Sequence, residues 1–183
     1  MSACSTHIFE TALGWIGIAW TDRGVRRLFL PDRREQVERR LALVAGPAAN
    51  GAPNSMIRGV IDAVRSYASG EPVEFSEVAV DLSGVDAFRL AIYDAARKLK
   101  FGDISTYGEL AACAGYPGLA RETGQALGSN PVPLIVPCHR VLAAGNKIGG
   151  FSAPGGADTK QKMLALEGVR IGKPEPAQQA FGF

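Results

Sequence analysis

The chain has 183 residues, 46% hydrophobic and 21% charged, an ordinary globular composition that excludes a disordered or fibrous chain. No apolar run is long enough to cross a bilayer, and no basic stretch followed by an apolar core opens the chain, so a cytoplasmic protein without membrane contact is expected. The net charge of +2 neither demands nor excludes nucleic acid, and the slight excess from Asp86 onward, eleven Lys/Arg against eight Asp/Glu, is no more than a solvated surface gives.

Cys4, Cys113 and Cys138 cannot all pair and have no framework spacing, which fits a reducing compartment. With only His7 and His139 to add, the nitrogen and sulfur donors are too scattered for a zinc site, so no metal site is expected.

In chain order, residues 8–30 alternate apolar and polar around breaks at Gly14 and at Asp22-Arg23-Gly24, which predicts a hairpin or meander. Val37, Leu41 and Val44 mark one face of a charged helix over 33–44, and the stretch AGPAANGAPNS, residues 45–55, then interrupts all periodicity. Ile57, Val60, Ile61, Val64 and Ala68 recur at helical spacing; Gly70 and Pro72 stop that helix, and a short strand is expected over 78–82. These elements predict a small α+β domain over residues 1–84.

From residue 85 the character changes. Phe88, Ile92, Ala95 and Leu99 predict a helix closed by Gly102, and Thr106 with Glu109 has the spacing of a capping box that opens a helix through Cys113. Gly115 to Gly118 reads as a turn, followed by a helix over about 119–128. Two short helices around a glycine-containing turn fit a helix-turn-helix, although the same pattern serves plain helix packing.

The chemically informative segment is NPVPLIVPCHRVL, residues 130–142. Pro131, Pro133 and Pro137 fix φ at three nearby positions and remove three donors, so a stiff extended segment, neither helix nor central strand, is expected to present Cys138. A nucleophilic thiol needs a base that takes its proton, directly or through water, and His139 is next in sequence with Arg140 beyond it. Cys4 and Cys113 have no such setting and read as small hydrophobes.

The string PCHRV, preceded by NPVPLIV and followed by GGFS and LALEG, closely resembles the O6-alkylguanine-DNA alkyltransferases, strongly from Phe88 to Gly168. A looser similarity covers FETALGWIGIAWTDRGVRRLFLP, which looks like that family's opening sheet. The resemblance implies an α+β fold with a ribonuclease H-like N-terminal domain and, over 85–183, a winged helix-turn-helix-like domain. It also implies direct-reversal repair by a cytoplasmic monomer that reads duplex DNA from the minor groove. The alkyl group of a flipped O6-alkylguanine, or of O4-alkylthymine, would pass irreversibly to the protein's own cysteine, a stoichiometric S-methyltransferase reaction without cofactor.

Residue by residue, the resemblance makes Cys138 the acceptor, with His139 and Glu167 as a relay through water. Asn130 braces the turn before the active-site segment. Tyr107 hydrogen-bonds the flipped base, and Arg121 fills the gap left in the stack. Val141 and Ser152 supply backbone contacts to the guanine edge, Phe151 forms a pocket wall, and Gly124 and Leu127 lie on the DNA- and base-facing side of the recognition helix. Five residues depart from the family's pattern. Phe151 replaces a frequent tyrosine, Ala153 and Pro154 are extra relative to a shorter serine-glycine-glycine form, and Glu122 and Gln125 occupy positions where small residues are common.

Two other function classes keep part of this pattern. A cysteine hydrolase or thiol oxidoreductase would retain Cys138 but turn over, and the second lacks its C-x-x-C pair. A DNA-binding regulator would use the helix pair and need no thiol.

Overall fold

In the computed structural model, residues 4–45 and 51–171 are described. The predicted meander is three antiparallel strands in the order β1 (Ser5–Thr11), β2 (Gly14–Thr21) and β3 (Gly24–Asp32). Helix α1 (Arg34–Ala45) covers one face, where Val37 and Leu41 are so close that a Cβ on Gly17 of β2 would lie 2.7 Å from Val37. On the other face, α2 (Ser55–Ala68) packs Ile57, Val60, Ile61 and Val64 among the sheet residues Phe9, Ile16, Ile18 and Leu28. Asn54 caps α2 by accepting from the Ile57 amide at 2.9 Å. Of the interruption expected over 45–55, residues 46–50 lie outside the described residues.

The strand expected over 78–82 contracts to a single bridge, in which Val25 donates to Ala79 at 2.9 Å and Asp81 donates to Val25 at 2.8 Å. It cannot lengthen along β3, because the next outward amide, Leu28 N–H, is taken by the Pro131 carbonyl at 3.0 Å. Gly24 makes the close approach possible: its φ is +138° and a Cβ there would sit 2.4 Å from the Ala79 oxygen. Asp81, 5% exposed, locks the bridge to the sheet by accepting from Thr21 at 2.8 Å and Arg26 at 3.2 Å, and from Ser83.

Helix α3 (Ala87–Ala96) is capped by Asp86 and ends three residues before the predicted Leu99. Past Ala96 the carbonyls leave the helical ladder, and that of Leu99 accepts from the Arg140 guanidinium at 2.5 Å. The capping box forms with both halves present: Glu109 N–H donates to Thr106 Oγ1 at 3.3 Å, and Thr106 N–H donates to Glu109 Oε2 at 2.8 Å. It opens α4 (Tyr107–Cys113), which packs on α5 (Ala120–Gly128) after a turn containing Gly115 and Gly118.

The proline-rich segment departs from expectation. It is a compact loop, in which Val136 N–H returns to the Val132 carbonyl at 2.9 Å and Leu134 has φ +73°. Cys138–Arg140 then form one 3-10 turn, and Val141–Leu142 (β5) pair in parallel with Ser105–Thr106 (β4). Few donors remain among the prolines, and Asn130 closes the loop on itself: its Nδ2 donates to Val136 O at 2.8 Å and its Oδ1 accepts from Val132 N–H at 3.0 Å. Burial of Leu134, 3% exposed, offsets the strained backbone. Helix α6 (Gly156–Leu166) completes the fold and delivers Glu167 at its C-cap. Mixed α+β architecture is thus as expected, and no helix among the described residues is long and apolar enough to cross a membrane.

Candidate active site

Cys138 starts the 3-10 turn with 8% exposure. Burial pushes its thiol above the ordinary value, while the Asn130 side chain, the charge of Lys160 and the amides of Cys138 and His139 pull it partly back. The resting sulfur is therefore a thiol that requires a base.

His139, 1% exposed, is that candidate base. Its Nε2 lies 2.6 Å from Glu167 Oε1, and among the described residues its Nδ1 is buried without a partner. Because an ionised carboxylate only accepts, the network assigns the proton to Nε2 and leaves the lone pair on Nδ1. No hydrogen bond joins thiol and imidazole directly. Burial lowers the His139 pKa and Glu167 only partly restores it, so the ring is neutral at pH 7.

Glu167 receives five donors: His139 Nε2, the Tyr67 hydroxyl at 2.9 Å, Arg140 Nη2 at 3.1 Å and Nε at 2.9 Å, and Gly102 N–H at 2.9 Å. Burial works to raise its pKa, but these bonds and the adjacent charges hold it down at about 2. The resemblance pairs Glu167 with His139, whereas Tyr67 and Gly102 carry no signal in the sequence. Tyr67 sits at helical spacing with Val60 and Val64 on the buried face of α2, so its pattern is that of any core aromatic. Arg140 stands beside the thiol in the sequence, and its pairing with Glu167 is visible only in the fold.

Lys160 was also missed. It is 0% exposed, donates to the Val141 carbonyl at 2.5 Å and lies 5.6 Å from the Tyr107 ring centroid and 5.8 Å from that of Phe151. Burial lowers its pKa to about 8, opposed by Cys138. A lysine in the polar stretch GADTKQK carries no signal of such burial.

Of the residues singled out in the sequence, Tyr107, Arg121, Gly124, Leu127, Cys138, Phe151 and Ser152 line one cavity of about 570 Å³, which α5 borders. Arg121 and Glu122 are exposed on α5, and Tyr107 is half-buried with its hydroxyl 3.4 Å from the Gly150 carbonyl. Asn130 braces the loop beneath Cys138. Val141 does not line this cavity; its side chain is in the core and its carbonyl is engaged by Lys160.

A buried cysteine followed by a histidine whose tautomer is set by a carboxylate, at the edge of a cavity bordered by an exposed helix, is an arrangement able to serve a cysteine nucleophile with its own base. The family described as 6-O-methylguanine DNA methyltransferase, DNA binding domain, matches residues 87–169. A methylated-DNA–protein-cysteine methyltransferase of Sulfolobus acidocaldarius is 35% identical over 164 residues, 90% of this chain and 93% of that protein. One of the same name from Mycolicibacterium paratuberculosis is 40% identical over 109 residues, 60% of this chain and 64% of that protein. The alignments with mycobacterial relatives thus span slightly under two thirds of their length. The crystal structure of Mycobacterium tuberculosis OGT in complex with DNA has a TM-score of 0.71 at 32% identity, covering 89% of this chain and 92% of that one. The chain belongs to the methylated-DNA–protein-cysteine methyltransferase family.

Proposed function

We propose that this protein repairs DNA by direct reversal, taking the alkyl group of O6-alkylguanine onto Cys138 once per molecule. The observation that carries this reading is His139, bound to Glu167 at 2.6 Å through Nε2 with Nδ1 left unpartnered, directly after the cysteine. The thiol proton passes to Nδ1, directly or through water, and Glu167 steadies the resulting imidazolium. The thiolate attacks the alkyl carbon in line as the carbon–oxygen bond breaks onto the guanine. Tyr107, whose pKa is raised by burial and by Cys138, stays a hydroxyl donor able to stabilise charge developing on the base. Among the described residues no group is placed to cleave the thioether, so each molecule acts once.

The cavity beside α5 takes the extruded nucleotide, and Arg121 fills the vacated stack at part of the extrusion cost, a few kcal/mol. Gly124, Leu127, Phe151 and Ser152 form its wall. Helices α4 and α5 act as a winged helix-turn-helix-like reader of the minor groove within a domain over 85–183, behind a ribonuclease H-like domain over 1–84. The protein works as a cytoplasmic monomer, and O4-alkylthymine presents the same alkyl–oxygen bond to the same thiol.

Peptide mass spectrometry after incubation with duplex O6-methylguanine DNA tests this. One methyl group per molecule is expected on the peptide containing Cys138, with none in Cys138→Ser, which still binds DNA. Product beyond one equivalent would overturn the stoichiometric mechanism.

A further inference from the structure

Cys138 belongs to two cavities. Besides the one bordered by α5, a second of about 520 Å³ runs from the thiol toward β3 and α1. The two share Leu127, Cys138, Phe151 and Ser152, so the sulfur and one aromatic wall stand at their junction. In-line displacement aligns sulfur, alkyl carbon and O6, and any larger substituent on that carbon must project sideways from the axis. With the base in the first cavity, the second is the volume beside the sulfur that such a substituent can enter.

The lining of this second cavity is chemically asymmetric. Pro131, Pro133, Ala153 and Pro154 give apolar walls, Arg27 and Arg40 bring guanidinium groups, and no carboxylate lines it. Ala153 and Pro154 are the two residues that exceed the shorter serine-glycine-glycine form, so this wall is where the chain departs from the resemblance. Arg40 is bound to Asp32 at 2.8 Å, and neighbouring Arg26 to Asp81 at 3.2 Å. Arg27, half-buried on β3, has no hydrogen-bond or ion-pair partner among the described residues. A planar guanidinium in a partly desolvated wall is suited to a bidentate carboxylate.

We propose that the second cavity receives the alkyl substituent and that Arg27 makes the protein favour O6-carboxyalkyl guanines, whose carboxylate it pairs. This rests on the reading that Cys138 accepts alkyl groups from guanine. In the step, sulfur bonds to the methylene carbon while the carbon–O6 bond breaks with its electron pair on the guanine. Overall the thiol proton replaces the substituent on the base, and the carboxylate arrives unchanged on the thioether.

Single-turnover transfer from duplexes carrying O6-methyl, O6-carboxymethyl and O6-(3-carboxypropyl) guanine, and from the neutral carbamoyl counterparts of the two acids, tests this. At least one acid is expected to react about twofold to fivefold faster than its amide, the upper part of the range for a partly screened ion pair. Arg27→Gln should bring that ratio to one and Arg27→Lys should keep part of it, both with unchanged transfer from O6-methylguanine. Equal rates for acid and amide in the wild type, or a ratio that survives Arg27→Gln, would overturn the proposal. A variant that slows all five substrates alike, with the ratio intact, would assign Arg27 to DNA binding instead. Absence of methyl transfer by the wild type would sink the underlying reading, whereas methyl transfer with a ratio of one would sink only this one.

Discussion

Tyr67 lies 72 positions before His139, yet its hydroxyl touches both partners of the proposed relay, at 3.3 Å from His139 Nε2 and 2.9 Å from Glu167. Burial and the Glu167 charge push its own pKa up, so it is a fixed donor that tempers the carboxylate. Tyr67→Phe leaves Glu167 more basic, which stabilises the imidazolium and raises the His139 pKa. If His139 is the base, as proposed, the acid limb of the transfer rate should move to higher pH in the variant with duplex affinity unchanged, because burial holds the wild-type His139 pKa below its ordinary value. A pH series of single-turnover rates checks this, and an unmoved limb would reduce Tyr67 to a packing residue.

Glu167→Gln is a more severe change than the sequence implied. Besides removing the anion behind His139, it strands the Arg140 guanidinium, 3% exposed, without a counter-charge. Breaking a buried pair on one side costs about 3–5 kcal/mol, so slower alkyl transfer should come with a clear loss in urea unfolding. Unchanged stability would mean that Arg140 finds solvent once released.

Among the elements, the bridge at Val80 depends on one side chain. Burial tends to raise the Asp81 pKa, but bonds from Ser83 and Thr21 and the charge of Arg23 hold it well below the usual carboxylate range. A depressed carboxyl stabilises the fold above its unfolded pKa, near 4, and that contribution fades as pH falls toward the folded value. Asp81→Asn should therefore cost about 1–3 kcal/mol at pH 7, and the gap to wild type should narrow in melts below pH 4. A gap constant with pH would show that packing, and not charge, sets the effect.

Helix α5 exposes Glu122 beside Arg121, with no basic partner for the carboxylate among the described residues. If α5 faces phosphates as proposed, Glu122→Ala should tighten duplex binding by about fivefold or less, a gain that shrinks with salt. Titrations in a Cys138→Ser background at two salt concentrations read this, and weaker binding would mean that Glu122 orients Arg121.

These elements also show what was legible in the chain. The capping box at Thr106 and Glu109 is visible because its physics is local, spanning three residues. The strand over 78–82 failed because its length depends on Pro131, some fifty positions later, claiming the next amide of β3. The extended reading of 131–137 failed because the prolines fix φ only at their own positions, whereas Asn130 and the burial of Leu134 decide how the chain folds between them. Cys138 and His139 were legible as neighbours; the identity of the other groups around them, Tyr67 and Lys160, depends on packing that no local pattern encodes.

At the scale of the whole molecule, one apolar core runs from Phe9 and Ile16 through Ile57 and Val64 to Ile92, Ile135 and Val141. The Leu28–Pro131 hydrogen bond and the Tyr67 contacts bind the N-terminal half to the active-site loop within the same core. Unfolding in urea should accordingly be a single transition, with tryptophan fluorescence from Trp15 and Trp20 coincident with loss of helical signal. Two separated transitions would show that the halves fold independently.

The parallel pair of β4 and β5 has only two residues per strand, Ser105 with Val141 and Thr106 with Leu142. It nevertheless sets where Tyr107, the next residue after β4, stands relative to Cys138, three residues before Val141. Peptide groups make that alignment, and peptide groups are the same whatever side chains flank them. The spacing between hydroxyl and sulfur can therefore be inherited through a change at Ser105, whereas Thr106, held by its capping box, and Val141 and Leu142, fully buried, are constrained by their side chains as Asn130, Glu167 and Arg140 are.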